Sequence, residues 1–258
     1  MLQTPQNIEN LFRTLLCIVE KIYSDSELTY WALCLLNGII EDARTRIKHL
    51  EHIQKTRLAE SNKDCIKILY SFIMQQSNKD KIKERDLAAH VLSMLIESYD
   101  YSKCTENANH FLNYIIEHQE NQNMLSRYAY THCLMYLLKI NELAKIFISK
   151  NGFTIFKRIL TTDCLNNSAV AYNVCCTLWI LSYNEFAMEG FTDFKLNIIE
   201  HVSKILDFFN KEKIVRIICM LFHNLKDNEL CLEHLSMINA LNLVIKLQNR
   251  PWVDQDIV

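Results

Sequence analysis

The tetrapeptides "NELA" at 141–144, "NEFA" at 184–187 and "NELC" at 228–231 repeat one pattern, Asn-Glu-apolar-small, at intervals of 43 and 44 residues. The register extends upstream, because Cys133, Cys176 and Cys219 are also 43 residues apart. They stand in "CLMYLLKIN", "CTLWILSYN" and "CMLFHNLKDN", each an apolar helical stretch running out into polar residues. A repeated unit of this size does not bury its apolar face alone, so its copies must stack on one another. That requirement excludes most folds before any single residue is considered.

A period of roughly 40 to 47 residues, with two or three helices in each, is the signature of armadillo and HEAT repeats. Apolar residues recur at helical spacing along the chain, as in Leu33, Leu36, Ile40 and in Ile214, Ile217, Ile218, Leu221, Leu225. No segment alternates in the manner of a strand. Polar clusters such as "YSDSE", "QQSNKDKIKERD", "SYDYSKCTENAN", "EHQENQN", "TTDCLNNS" and "FNKEK" separate helices of about 10 to 17 residues. With only 3 glycines and 2 prolines, the chain cannot supply the tight hairpins of a β fold or a glycine-rich phosphate loop. The expectation is an all-α, armadillo/HEAT-like helical-repeat solenoid, a right-handed superhelix forming a single domain over 1–258. Its clearest repeats are 123–166, 167–209 and 210–250. Each unit holds a short helix after the Asn-Glu motif, a medium helix and a long helix.

Within such a unit the motif reads as punctuation. Asparagine accepts hydrogen bonds from the unpaired N–H groups of a helix start, and the glutamate meets the positive end of the helix dipole. The small Ala144, Ala187 and Cys231 let the short helix approach its neighbour closely. A net charge of −2 provides no global basic field for nucleic acid or an anionic membrane. The 10 cysteines contain no CxxC pair and lie in apolar helical contexts such as "RTLLCIVEK" and "RIICMLFHN". They read as buried free thiols of a reducing, cytosolic compartment. "MLQTPQNIEN" lacks the basic-then-apolar order of a secretory signal. The most apolar stretch, "AVAYNVCCTLWILSY" at 169–183, spans about 22 Å as a helix, against a hydrocarbon core of roughly 30 Å, and is expected in the core.

Catalytic patterns are sparse. His49 and His52 in "HLEH" share a helix face, a spacing that suits a metal, but no third and fourth ligand follows and the segment reads as charged surface. His132 and Cys133 are adjacent in sequence and therefore point to different helix faces, which prevents them from pairing as base and nucleophile. The chain has no G-x-S-x-G, HExxH, Walker or glycine-rich fingerprint, and no cofactor is expected. The long helices should line one side of the superhelix. In register, Arg127, Val170 and Lys213 form one row, and Tyr130, Asn173 and Arg216 another. Facing outward, these rows would make a mixed polar groove for an extended or helical partner. Lys211, Lys213, Arg216 and Arg127 are the candidate partner contacts.

Four segments, taken in order, carry a resemblance: "LWILSYN" at 178–184, "KEKIVRI" at 211–217, "NL" at 224–225 and "RPWVDQDI" at 250–257. They resemble the armadillo-like region of the regulatory H subunit of V-type proton ATPases, with its "LW-L-FN" helix, "KEKV-RI", "RNL" and a Trp/Tyr-Asp-acid-Asp-Ile exit. "SELTYWALCLLNGIIEDARTRI" at 26–47 is similar, more loosely, to an early helix of that family. The resemblance implies a non-catalytic component on the cytosolic side of an acidic endomembrane. Its implied partners are the E and G subunits of the peripheral stalk, the cytoplasmic part of the a subunit and the catalytic head, without nucleic acid and without insertion into the membrane. It implies support of ATP-driven proton pumping. The family's inhibition of the detached head belongs to a second domain beyond the "WVDQDI" exit. Two other readings are a generic armadillo adaptor for extended peptides, and a helical enzyme using a Cys/His pair. The Trp-x-x-x-Asn of import adaptors is not matched, because Tyr183 stands four residues after Trp179 and the asparagine follows one later.

Overall fold

The structure is a computed structural model, and it describes residues 5–21, 25–47, 65–75, 81–98, 101–121 and 124–247. His49, His52 and "RPWVDQDI" lie outside the described residues, as do 76–80 of the polar cluster "QQSNKDKIKERD". Among the described residues every regular element is a helix, which makes the chain all-α, and the helices recur in the order that armadillo/HEAT repeats require. The chain divides into two compact units, 1–140 and 141–258.

The first unit contains α1 (Pro5–Lys21), α2 (Ser26–Ile47), α3 (Cys65–Met74), α4 (Ile82–Ser98), α5 (Tyr101–Glu117) and α6 (Arg127–Leu137). α2 packs on α1 and α4, and α4 packs on α5 and α6. The apolar spacing of three and four explains those pairings. Phe12, Leu16 and Val19 of α1, Leu33, Leu36 and Ile40 of α2, and Val91, Leu92 and Leu95 of α4 are all buried. Each such side chain contributes about 1.5 to 3 kcal/mol by leaving water. α6 starts where Ser126 accepts a hydrogen bond from the Ala129 N–H at 3.2 Å, and the Ser126 N–H donates to Asp86 Oδ1 at 3.0 Å. The cap therefore fastens the start of α6 to the first turn of α4. Beside it Arg85, with no exposed surface, donates from Nη1 to the Met124 carbonyl at 3.3 Å.

The second unit contains α7 (Asn141–Ser149), α8 (Gly152–Thr162), α9 (Ser168–Leu181), a 3-10 turn (Glu185–Ala187), α10 (Met188–Thr192), α11 (Ile198–Phe208), α12 (Glu212–Leu225), α13 (Glu229–Met237) and α14 (Ala240–Leu247). Like packs on like: α9 on α12 among the long helices, α8 on α11 and α11 on α14 among the medium ones. α10 packs on α13 among the short helices. Phenylalanines knit the layers. Phe153 meets Phe156 and Phe191 edge-on, at centroid distances of 6.2 and 5.0 Å, and Phe147 lies 5.1 Å from Phe156. The helix lengths are more uneven than the sequence suggests, from 5 residues in α10 to 22 in α2.

The Asn-Glu motif plays its expected part in only one of its copies. Asn228 caps α13, its side chain accepting from the Cys231 N–H at 3.1 Å. Asn184 makes no side-chain cap, because the chain continues as a 3-10 turn that satisfies the Ala187 N–H with the Asn184 carbonyl at 2.9 Å. Asn141 is itself the first residue of α7. The small residue is the invariant feature, since Ala144, Ala187 and Cys231 are each 0% exposed. The turns without glycine are made by asparagine. Asn151, Asn197 and Asn239 precede α8, α11 and α14 with φ of 61°, 55° and 55°. Asparagine is one of the few residues besides glycine that enters this left-handed region at modest cost.

Candidate partner-binding surfaces

Three of the four cations singled out by sequence fall together at the start of α12. Lys211, Lys213 and Arg216 are exposed. The Lys211 ammonium donates to Ser168 Oγ at 2.8 Å, so it reaches from the entry of α12 to the first residue of α9. Arg216 pairs with Glu212 one turn earlier on the same helix, with 63% and 35% of the two side chains exposed. An exposed pair of this spacing contributes about 0.3 to 0.5 kcal/mol. Cations near a helix N-terminus oppose the helix dipole by a similar amount. Local helix energetics therefore does not account for this cluster.

Arg127 belongs to the first unit and is set differently. It is half-buried, its Nη1 donates to the Gln119 carbonyl at 2.7 Å, and its guanidinium carbon lies 5.7 Å above the Tyr130 ring. The outward rows drawn from the register do not hold as drawn. Val170, Tyr130 and Asn173 are buried, at 1%, 3% and 3% exposure. The reason is that α9 is apolar on nearly all sides and packed between α8 and α12. α12, in contrast, buries one stripe of Ile214, Ile217, Ile218, Leu221 and Leu225 and leaves Lys213, Arg216, Met220 and His223 exposed.

In the described segments that carried the family resemblance, the apolar residues are structural. Leu178 and Leu181 of "LWILSYN" are fully buried, as is Leu225, while Ile214 and Val215 of "KEKIVRI" are 1% and 5% exposed. Trp179 packs edge-on against Tyr183 at 5.8 Å, and the Asn224 amide donates to Ser182 Oγ at 2.9 Å, joining α12 to the end of α9.

The thiols vary more than their apolar contexts suggested. Cys65, Cys104, Cys133, Cys164, Cys175 and Cys231 are buried, but Cys17 is exposed and Cys219 is half-buried. Those two are the residues of "RTLLCIVEK" and "RIICMLFHN", so the expectation of burial fails there. Cys17 falls on the solvent stripe of α1, one residue past the buried Leu16. Burial pushes the thiols of Cys65, Cys133 and Cys175 well above their ordinary range, and raises Cys231 to about 11. A thiol in this condition is protonated at neutral pH and is a poor nucleophile. Cys133 turns into the core while His132 turns outward to the aromatic rings described next, so the adjacent pair does diverge. Among the described residues no group of three His, Cys, Asp or Glu side chains could hold a metal ion.

Sequence reasoning missed an aromatic ladder on the first unit. Tyr128, His132 and Tyr136 follow one another at four-residue spacing along α6, with centroids 5.7 and 4.8 Å apart. His90 of α4 inserts against it, 4.1 Å from His132 and 5.3 Å from Tyr128. Burial pulls His90 down to about 4, so its imidazole is neutral at pH 7. At the lower end Lys139 Nζ lies 4.7 Å over the Tyr136 ring and 3.1 Å from Glu97 Oε1. The spacing on α6 was visible in the sequence. The arrival of His90 from another helix was not.

Comparison with known proteins agrees with the fold. The family profile for the V-ATPase H subunit matches residues 3–258. The H subunit of the V-type proton ATPase of Drosophila melanogaster is 25% identical over 259 residues, covering 98% of this chain and 53% of that protein. The chain thus spans about half the length of the curated relative it matches. Among the described residues no single helix is long and apolar enough to cross a membrane. With an all-α repeat fold and a family match over almost all of its length, the chain belongs to the V-ATPase H-subunit family.

Proposed function

We propose that the chain acts as the helical-repeat part of a non-catalytic regulatory and structural component of a V-type proton-pumping ATPase. In this role it links the peripheral stalk and catalytic head to the membrane sector and supports ATP-driven proton transport. The match of the family profile across residues 3–258 carries the reading. Its partners would be the E and G subunits of the stalk, the cytoplasmic part of the a subunit and the catalytic head, at the cytosolic face of vacuolar or other acidic endomembranes. Lys211, Lys213 and Arg216 offer exposed positive charge at one helix start, suited to an acidic stretch of a partner. Arg127 is the fourth contact proposed.

Affinity purification of the tagged chain from its own cells tests this reading. Recovery of the two stalk proteins, E and G, is expected, and a clean purification without them would sink it. A triple Lys211→Ala, Lys213→Ala, Arg216→Ala variant should keep its helicity and recover less of the stalk. Unchanged recovery would remove these residues from the interface while leaving the assignment to the pump intact.

A further inference from the structure

A cleft of about 800 Å³ opens in the second unit where α11 meets α13 and α14, and α11 packs on both of those helices. Leu165, Phe194, Phe208, Met237, Ile238 and Leu243 supply its apolar walls. Phe194, Phe208 and Met237 are 47%, 61% and 70% exposed, so large apolar side chains meet water on the α11 side and on the α13 side alike. Small-molecule sites occupy about 300 to 1,000 Å³ and combine such walls with a few placed polar groups. Here the placed group is His234 of α13, which lines the cleft with only 3% of its surface exposed. Its ring stands edge-on to Phe194, 3.5 Å between centroids, and its Nε2 has no hydrogen-bond partner. A buried ring nitrogen calls for a partner in either tautomer, as donor or as acceptor. We propose that this cleft binds an uncharged amphiphile, an alcohol with an aliphatic or polycyclic body, whose body lies on the apolar walls and whose hydroxyl bonds to His234 Nε2.

The polar side of the cleft decides the charge of the ligand. Asn197, at the entry of α11, donates its amide to the Glu200 carboxylate, and Lys204 Nζ lies 2.8 Å from Glu200 Oε1. The Ser203 hydroxyl donates to the Glu200 carbonyl at 2.7 Å. These groups satisfy one another and need no ligand. Asp207 is a second acidic side chain in the lining against the one lysine, so an incoming carboxylate or phosphate meets net repulsion. An ammonium can only donate, and Lys204 already holds the Glu200 carboxylate. His234 brings no charge, because burial keeps its imidazole neutral at pH 7 against the opposing pull of Glu233. What is left unmet is a single hydrogen bond at an apolar wall. A hydroxyl both donates and accepts and therefore serves either tautomer of His234, while the body attached to it covers rings and side chains that now face water. The cleft lies wholly within the second unit, and the proposal stands apart from the assignment to the proton pump.

The test is NMR of the whole chain labelled at its methionine methyl groups, titrated at neutral pH with decanol, decanoate or decylammonium below the concentrations at which they aggregate. The Met237 methyl, assigned by its loss in Met237→Leu, should shift with decanol and saturate. The methyl of Met220, exposed on α12 and outside the cleft lining, should stay in place. Decanoate should bind about tenfold more weakly. His234→Phe, which keeps a ring beside Phe194 and removes the hydrogen bond, should weaken decanol by about fivefold or more. Phe208→Asp should weaken it as much, and because Phe208 faces solvent this variant keeps the fold and decides the matter even where His234→Phe melts. The proposal is overturned if Met237 does not respond to decanol, if Met220 shifts alongside it, or if decanoate or decylammonium binds as tightly as decanol. It is equally overturned if folded His234→Phe or Phe208→Asp binds decanol like the parent chain. A Met237 shift that follows protein concentration without any ligand also overturns it, by making the cleft a contact between two copies of this chain.

Discussion

The Asn224 side chain donates to Ser182 Oγ at 2.9 Å, and that hydroxyl donates in turn to the Trp179 carbonyl at 2.6 Å. The relay fixes the last turn of α9 to the last turn of α12 through partly buried groups, where a lost partner is not fully replaced by water. Asn224→Ala should lower stability by about 1 kcal/mol. Urea unfolding measures it, and an unchanged midpoint would show that the relay contributes nothing.

Adding one methyl group at two glycines should have opposite effects. At Gly190 a new Cβ would lie 2.2 Å from the ring of Phe153, and that ring is held by Phe156 and Phe191 and cannot swing aside. Gly190→Ala is therefore expected to destabilise by about 1 to 3 kcal/mol. At Gly38 the space is open, and Gly38→Ala in the middle of α2 should stabilise by about 0.5 to 1 kcal/mol. Thermal melts of the two variants should move in opposite directions.

His90 predicts how stability depends on pH. Its folded pKa is depressed to about 4 from an ordinary 6.5 because burial disfavours the charged ring. Between those values the unfolded chain binds more protons than the folded one, so stability rises with pH across the window. The loss on acidification begins below pH 6.5 and is complete near pH 4, with an upper size on the order of 3 kcal/mol. His90→Phe should flatten that part of the profile in urea titrations between pH 4 and 7. An unaltered slope would assign the dependence to other groups.

Exposure and thiol ionisation together rank the cysteines. Cys17 is exposed, and Cys65, Cys133 and Cys175 are buried with raised pKa values. Brief alkylation of the native chain with iodoacetamide at pH 8, read by mass spectrometry, should label Cys17 first and the other three only after unfolding. Labelling of Cys133 as fast as Cys17 would restore a nucleophile to the enzyme reading.

Local patterns carried the fold into the sequence, and their limits are equally local. Ile214, Ile217, Ile218, Leu221 and Leu225 gave the buried stripe of α12 because that helix has one dry face. The repeat register alone would set Val170 and Asn173 in an outward row, whereas α9 is covered by α8 and α12 and buries both, as the apolar run at 169–183 suggested. Which faces are covered depends on neighbours distant in the chain. The Tyr128, His132, Tyr136 spacing was available on one helix, whereas His90 lies about 40 residues earlier, and only the packing of α4 on α6 brings it there. The family motifs were legible as segments, yet Leu178 and Leu181 of the first and Ile214 and Val215 of the second prove to be interior, while Lys211, Lys213 and Arg216 stay exposed.

Asn151, Asn197 and Asn239 change what each turn costs to form. A glycine there would adopt the left-handed conformation freely, but it would also give the unfolded chain more conformations to surrender. Asparagine accepts a strain of about 1 kcal/mol in that region and has fewer alternatives to lose. At each of the three junctions before a medium helix, the chain exchanges pliability for a bend that is already narrowed in direction before the helices on either side come together.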